Sequence, residues 1–210
     1  MEKVNIAENH KLDSINAKAF YELKANIQFL RTGSESKVIM ICSAEEKVGR
    51  STTAAYLSLV LAESGKKTIL VDCDQRNPNI HNMFNLKNDD KGLVNFLAGD
   101  IELAEAINTT KQKNLSIITA GSFALNYAEL FVSEKFNEFT KFLKKDFDYI
   151  IIDSSPLTES ADAKAMAKNA DGCVLVVKYG ATERKTAIKA KEILEKVNAS
   201  IIGVFLNKTS

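Results

Sequence analysis

The chain has 210 residues, 45% of them hydrophobic, 26% charged and only two of them proline. This composition excludes a disordered or collagen-like polymer and fits one compact domain, or at most two very small ones. Lys and Arg total 28 against 27 Asp and Glu, a formal charge of +1, so no basic excess argues for nucleic acid or acidic lipid, and any partner must be recognised locally. Cys42, Cys73 and Cys173 are an odd set without C-x-x-C spacing, and His10 and His81 stand apart from any ligand-like cluster. A disulfide framework and a structural zinc site are therefore not expected.

The opening segment, MEKVNIAENHKLDS, is polar and lacks an apolar h-region, and the longest apolar runs further on are strand-sized. A cytoplasmic chain is expected. Over residues 14–30, Ile15, Phe20, Leu23, Ile27 and Leu30 recur on roughly one helical stripe, which predicts a helix packed outside the main fold. Residues 32–36 read as its connector. From Lys37 onward, short β-branched runs alternate with longer helical stretches. Strands are expected at 38–42, 68–72, 115–119, 149–153, 172–177 and 201–206, each too apolar for a sheet covered on one side only. Helices are expected at 52–63, 133–144, 160–169 and 182–197, where apolar residues fall at three and four spacing. The pattern predicts an α/β fold, an open and mostly parallel sheet with helices on both faces in three layers. Residues 1–36 would be a helical extension on a core of residues 37–210, one domain in all.

Where the first strand turns into a helix, the sequence runs Ser43-Ala44-Glu45-Glu46-Lys47-Val48-Gly49-Arg50-Ser51-Thr52-Thr53. Polyphosphate binding needs successive backbone N–H groups, the positive end of a helix, a cation and a hydroxyl for Mg²⁺. Against the pattern G-x-x-x-x-G-K-[ST], Ala44 stands at the first glycine, Gly49 at the second, Arg50 at the lysine and Ser51 at the hydroxyl, with Val48 and Thr52 flanking. An ordinary strand-to-helix turn accounts for these letters about equally well.

The second strand closes with Asp72-Cys73-Asp74, two carboxylates at i and i+2 on one face. The run from Tyr149 closes with Asp153-Ser154-Ser155-Pro156 at the same edge of the sheet, where open α/β folds bind their ligands. A lone Asp at a strand end is commonly a turn former. Three acids converging with a glycine turn argue for a hard-cation and polyphosphate site.

These residues resemble the bacterial tyrosine kinases of capsular and exopolysaccharide synthesis, a P-loop family. The resemblance runs over nearly the whole length. Residues 69–78 are similar to the family's second Walker motif, 80–86 and 91–100 to its continuation, 120–133 to a segment usually richer in proline, 149–156 to its Walker B strand, and 160–163 continue the match. Residues 171–177 and 203–207 resemble its last two strands. The resemblance implies ATP and Mg²⁺ as cofactors, with Ala44, Val48, Gly49, Arg50, Ser51 and Thr52 around the phosphates and Asn207 at the base. It implies Ser51, Asp72 and Asp153 as the metal set, and Asp74, Asp72 and Arg50 as the catalytic group, Asp74 lying near the attacking tyrosine hydroxyl. It also implies phosphorylation of protein tyrosines, recruitment to the inner face of the membrane by the cytoplasmic tail of a membrane activator, and homo-oligomers.

The chain departs from the family pattern at several points. Glu46-Lys47 stands at the usual proline-glycine pair, and Arg50 at the lysine. A side chain at position 47 is unfavourable if the backbone there needs a positive φ. Lys47 is a solvated loop residue or, less expectedly, a substitute for the missing ammonium. Glu45 and Glu46 would repel a nucleotide they faced. The assembly motif E-x-x-R-x-x-R reads Lys18-x-x-Tyr21-x-x-Lys24, and no tyrosine cluster precedes Ser210. Tyr21, Tyr56, Tyr127, Tyr149 and Tyr179 are scattered, and packing is the expected role of Tyr56 and Tyr149. Three readings stay open: an ATP-dependent tyrosine kinase, a regulatory pseudokinase of the same family, and a partitioning-type P-loop ATPase, whose signature lysine is replaced by Glu45.

Overall fold

The computed structural model describes residues 6, 14–29, 37–123 and 127–207. Helix α1 (Ser14–Gln28) precedes strand β1 (Lys37–Ser43), which leads through a loop to α2 (Arg50–Glu63) and β2 (Thr68–Asp72). Three short helices follow, α3 (Ile80–Met83), α4 (Leu93–Ala98) and α5 (Leu103–Ala106), then β3 (Ile107–Thr109) and β4 (Leu115–Ile118). The remainder alternates α6 (Tyr127–Val132) and α7 (Glu134–Leu143), β5 (Tyr149–Asp153), α8 (Ala161–Asn169), β6 (Gly172–Lys178), α9 (Arg184–Lys196) and β7 (Ile201–Asn207).

Among the described residues, seven strands form one sheet in the order β3-β4-β2-β5-β1-β6-β7. All neighbours are parallel except β3 and β4. Period-two alternation sends Val38, Met40 and Cys42 of β1 into one core, and Ile39 and Ile41 into the other. The first core is closed by α4 and α6 to α9, where α7 buries Phe136, Phe139 and Leu143 at helical spacing. The second is closed by α1, α2 and α3. Helix α1 docks through Phe20, whose ring lies 5.3 Å from Tyr56 and 5.1 Å from Phe205. Its end is held by Lys37, buried at the start of β1, whose Nζ donates to the carbonyls of Ile27 at 3.0 Å and Gln28 at 3.2 Å. An ammonium at a helix C-terminus satisfies carbonyls that lack intrahelical partners.

The six predicted strands all form, with ends shifted by at most one residue. The seventh, β3, is short, partly exposed and antiparallel, and three residues carry too little pattern to be recognised. The helix expected at 133–144 is Glu134–Leu143, and a separate turn, α6, stands before it. Strand β7 departs from the expectation of a fully covered strand, because it is the edge of the sheet and leaves Val204 61% and Leu206 58% exposed. On the α1 stripe, Phe20, Leu23 and Ile27 are buried. The side chain of Ile15, Leu30, the connector at 32–36, His10, residues 124–126 and the three residues after Asn207 lie outside the described residues. The three cysteines are buried and free. Among the described residues no helix is long and apolar enough to cross a membrane.

Candidate phosphate-binding site

The strand order puts β5 between β2 and β1, so the tip of β5 separates the acidic end of β2 from the loop after β1. Asp72 and Asp153 are register partners. The loop is tied down from outside: Leu157 N donates to Ser43 O at 2.9 Å, Thr158 Oγ1 to Ala44 O, and Thr182 Oγ1 to Glu45 Oε1 at 2.6 Å. Glu45 is thereby drawn towards the β6–α9 turn. Glu46 instead accepts from Asn77 Nδ2 at 2.6 Å. Ala44 and Val48 are buried and contribute backbone.

Two residues of the loop have left-handed backbone, Lys47 at φ 60° and Gly49 at φ 90°. Gly49 suits this conformation. Lys47 adopts it at a cost of about 1–2 kcal/mol, so the positive φ that position 47 requires is met by strain. Gly49 also has no room for a side chain, since a Cβ would lie 2.0 Å from Asn207 Nδ2, which donates to Val48 O at 2.9 Å. Asn207 thus buttresses the loop from β7. Helix α2 starts immediately after Gly49 without a side-chain cap, leaving its first-turn amides for a ligand. Thr52 is partly buried in that turn and Thr53 Oγ1 donates back to Gly49 O at 2.8 Å.

A cavity of about 430 Å³ opens over this turn, walled by Glu46, Lys47, Gly49, Arg50, Ser51, Asp74 and the 77–79 segment. Arg50 does not reach outward into it. Its guanidinium, in a residue only 7% exposed, donates from Nε to Asp153 Oδ1 at 2.9 Å, from Nη2 to Asp74 Oδ2, and from Nη1 to Ser43 Oγ at 3.4 Å. Burial works against its charge, but Asp153 and then Asp74 more than offset this and raise its pKa. Asp74 Oδ1 meanwhile accepts from Ser155 Oγ at 3.1 Å and from the backbone N–H of Arg76 and Asn77, both at 3.2 Å. Arg76 continues outward to the Tyr127 hydroxyl at 2.9 Å.

Asp72 has a different setting. It is fully buried, and its oxygens accept the N–H groups of Asp74 at 3.1 Å, Asn79 at 3.2 Å and Ile80 at 3.1 Å. It caps α3 and shapes the turn after β2, and it is not part of the cavity wall. Burial, reinforced by the charge of Asp153, pushes its carboxyl well above the ordinary value of 3.8. Burial also raises Asp153, against the pull of Arg50.

Among the described residues, no three His, Cys, Asp or Glu side chains are grouped to hold a metal by themselves. Mg²⁺ needs few protein oxygens and keeps several waters. Ser51 on the cavity wall and the buried Asp153 Oδ2, which has no hydrogen-bond partner, are hard oxygen donors that fit it. The oxygens of Asp72 are already engaged. Ser155 was not among the residues singled out from sequence, although its i+2 spacing from Asp153 was the available signal. Asn77 and Pro78 stood only as the end of the 69–78 segment, with no role of their own, and Asn79 was not singled out.

A parallel sheet with a left-handed glycine turn, an uncapped helix start and acidic strand tips at one edge defines a P-loop nucleotide-binding protein. Residues 36–201 match the family model described as an AAA domain. The chain is 37% identical to tyrosine-protein kinase CpsD of Streptococcus agalactiae serotype Ia, covering 91% of this chain and 82% of that one. It is 36% identical to tyrosine-protein kinase YwqD of Bacillus subtilis, covering 92% and 81%. Among solved structures, the kinase domain of the Escherichia coli tyrosine kinase ETK superposes with a TM-score of 0.90 at 25% identity, covering all of this chain and 82% of that one. The septum site-determining protein MinD of Pyrococcus horikoshii, complexed with Mg-ADP, is a looser neighbour at 0.68 and 26%, covering 80% and 69%. The chain belongs to the bacterial tyrosine-protein kinase family, within the P-loop ATPase fold.

Proposed function

We propose that the chain transfers the outer phosphoryl group of ATP, with Mg²⁺, to tyrosines of partner proteins in capsule or exopolysaccharide synthesis. The observation that carries this reading is that Gly49, Arg50, Ser51 and Asp74 wall one cavity at the carboxyl edge of the sheet. The α2 amides and the left-handed turn at Gly49 receive phosphate oxygens. Mg²⁺, when bound, neutralises charge on the outer phosphates. Ser51 and Asp153 Oδ2 are the oxygens for it. Asp74, steered by Ser155 and two backbone amides, is the carboxylate that takes the phenol proton late in transfer, a modest demand where positioning dominates. In this reading the partners are the cytoplasmic tail of a membrane protein, which recruits the chain to the membrane, and further copies of the chain. The likeness to kinase domains supports it.

The test is transfer of labelled phosphate from ATP to tyrosine peptides, with the activator tail present and with Asp74→Asn beside the parent. Asp74→Asn should slow transfer at least tenfold while nucleotide still binds. Equal rates in the two proteins would remove Asp74 from the chemistry.

A second reading is favoured by one observation. Arg50 is engaged with Asp74 and Asp153 at once, and a planar fork does not follow moving oxygens as a lysine ammonium does. A regulatory member of the family, binding partners without transfer, would be silent as the parent and would gain transfer in Arg50→Lys.

A further inference from the structure

We infer that Arg50 is a built-in plug over the two carboxylates of the site, so that Mg²⁺ carried by a nucleotide reaches Asp153 only as the guanidinium leaves Asp153 and Asp74. This rests on the nucleotide-binding reading above and reassigns the role of one residue within it. Position 50 begins α2, directly after the phosphate turn, so an extended side chain there would meet the outer phosphates. Instead Arg50 turns back beneath the turn, and its three nitrogens all donate to protein oxygens: Asp153 Oδ1, Asp74 Oδ2 and Ser43 Oγ.

Two consequences follow from geometry and charge. First, the plug covers both functional carboxylates. Asp74 Oδ2 and Asp153 Oδ1 both have Arg50 as their partner, and Asp153, whose Oδ2 is left over, is completely buried. A cation approaching Asp153 must therefore displace another cation. Second, the plug holds by a fork that fits two carboxylates together. An ammonium is a point charge without that planar two-sided geometry. Lysine at this position would sit on one carboxylate at a time and exchange with solvent and phosphate more readily.

The inference reverses the sign expected of a phosphate-binding cation. If Arg50 gripped phosphate, removing it would weaken nucleotide binding. As a plug, removing it strengthens binding, because ligand no longer works against the two ion pairs.

The experiment measures ADP binding by calorimetry, in Mg²⁺ and in EDTA, for the full chain and for Arg50→Gln and Arg50→Lys. Melting temperature with Mg²⁺ alone is recorded on the same samples. Arg50→Lys keeps the charge and guards against Arg50→Gln failing to fold around uncompensated acids. Both variants should bind Mg²⁺-ADP at least tenfold more tightly than the parent. Mg²⁺ alone should raise the melting temperature of Arg50→Gln, whose carboxylates are free, and leave that of the parent unchanged. Weaker binding in Arg50→Gln, with Arg50→Lys equal to the parent, would overturn the plug and make Arg50 a phosphate ligand. Folded protein that binds no nucleotide in any of the three forms would instead overturn the nucleotide reading itself.

Discussion

Asn207, the last residue of the last strand, donates from Nδ2 to the carbonyl of Val48 at 2.9 Å and fills the space where Gly49 would carry a Cβ. The loop's shape is thus set jointly by a missing side chain at 49 and a present one at 207. Sequence likeness had assigned Asn207 to the base of the nucleotide. Its contact with Val48 gives it a structural task as well.

Gly49→Ala must absorb both a left-handed φ and a contact of 2.0 Å. It should destabilise the chain by about 1.5–3.5 kcal/mol, the sum of the left-handed cost and an off-rotamer Asn207. Adding Asn207→Ala should recover the second part only. Urea unfolding of the two single variants and the double measures this, and strictly additive losses would show that the two residues do not share the space.

Lys47 has the opposite problem, a side chain where φ is 60°. Lys47→Gly removes about 1–2 kcal/mol of strain and adds about 0.5–1 kcal/mol of unfolded-state entropy. A net gain of up to about 1.5 kcal/mol is expected by chemical denaturation. A loss beyond 0.5 kcal/mol, on the order of a typical surface change, would mean that the lysine makes a stabilising contact.

Asp72 should show itself through pH. Its folded pKa lies well above the ordinary 3.8 because burial disfavours the carboxylate. A raised pKa contributes stability that is complete below 3.8 and is lost as pH rises to the folded value. The stability of the parent relative to Asp72→Asn should therefore fall as pH climbs from about 4 towards neutrality. The comparison cancels His81, whose pKa is lowered by burial in both proteins. Parallel pH profiles for the two proteins would contradict the assignment.

Lys37 ties the end of α1 to the sheet. Lys37→Met keeps an apolar stem but leaves two helix-end carbonyls without their donor. A cost of about 1–3 kcal/mol follows for charge-assisted hydrogen bonds. Hydrogen exchange should quicken in residues 24–28 while β1 and β5 stay protected. Uniform quickening across the sheet would mean that Lys37 serves the core and not the helix.

Most of the sheet was legible in the sequence because buried parallel strands are written as continuous apolar runs, as in 68–72 and 149–153. Strand β3 was not, since Ile107–Thr109 is too short for any period and is only partly buried. At the site, the glycine turn and the acids at 72, 74 and 153 were readable as residue types at strand ends. What they do there was not readable. The three backbone donors that occupy Asp72 come from a turn whose path depends on Asn79 and Ile80, and the backward course of Arg50 depends on Asp74 and Asp153 being close together. Both are facts of tertiary structure, since no local propensity records which way a long side chain folds.

The position of β5 between β2 and β1 has a consequence for synthesis. While the chain is still emerging from the ribosome, β1 has neither of its partners, because β5 and β6 are both encoded downstream. Strand β2 can pair only with β4. Sequence-distant pairings of this kind are slow to form and leave strand edges open meanwhile. The nascent protein therefore carries its loop and its first two acids unassembled until Asp153 has cleared the exit tunnel.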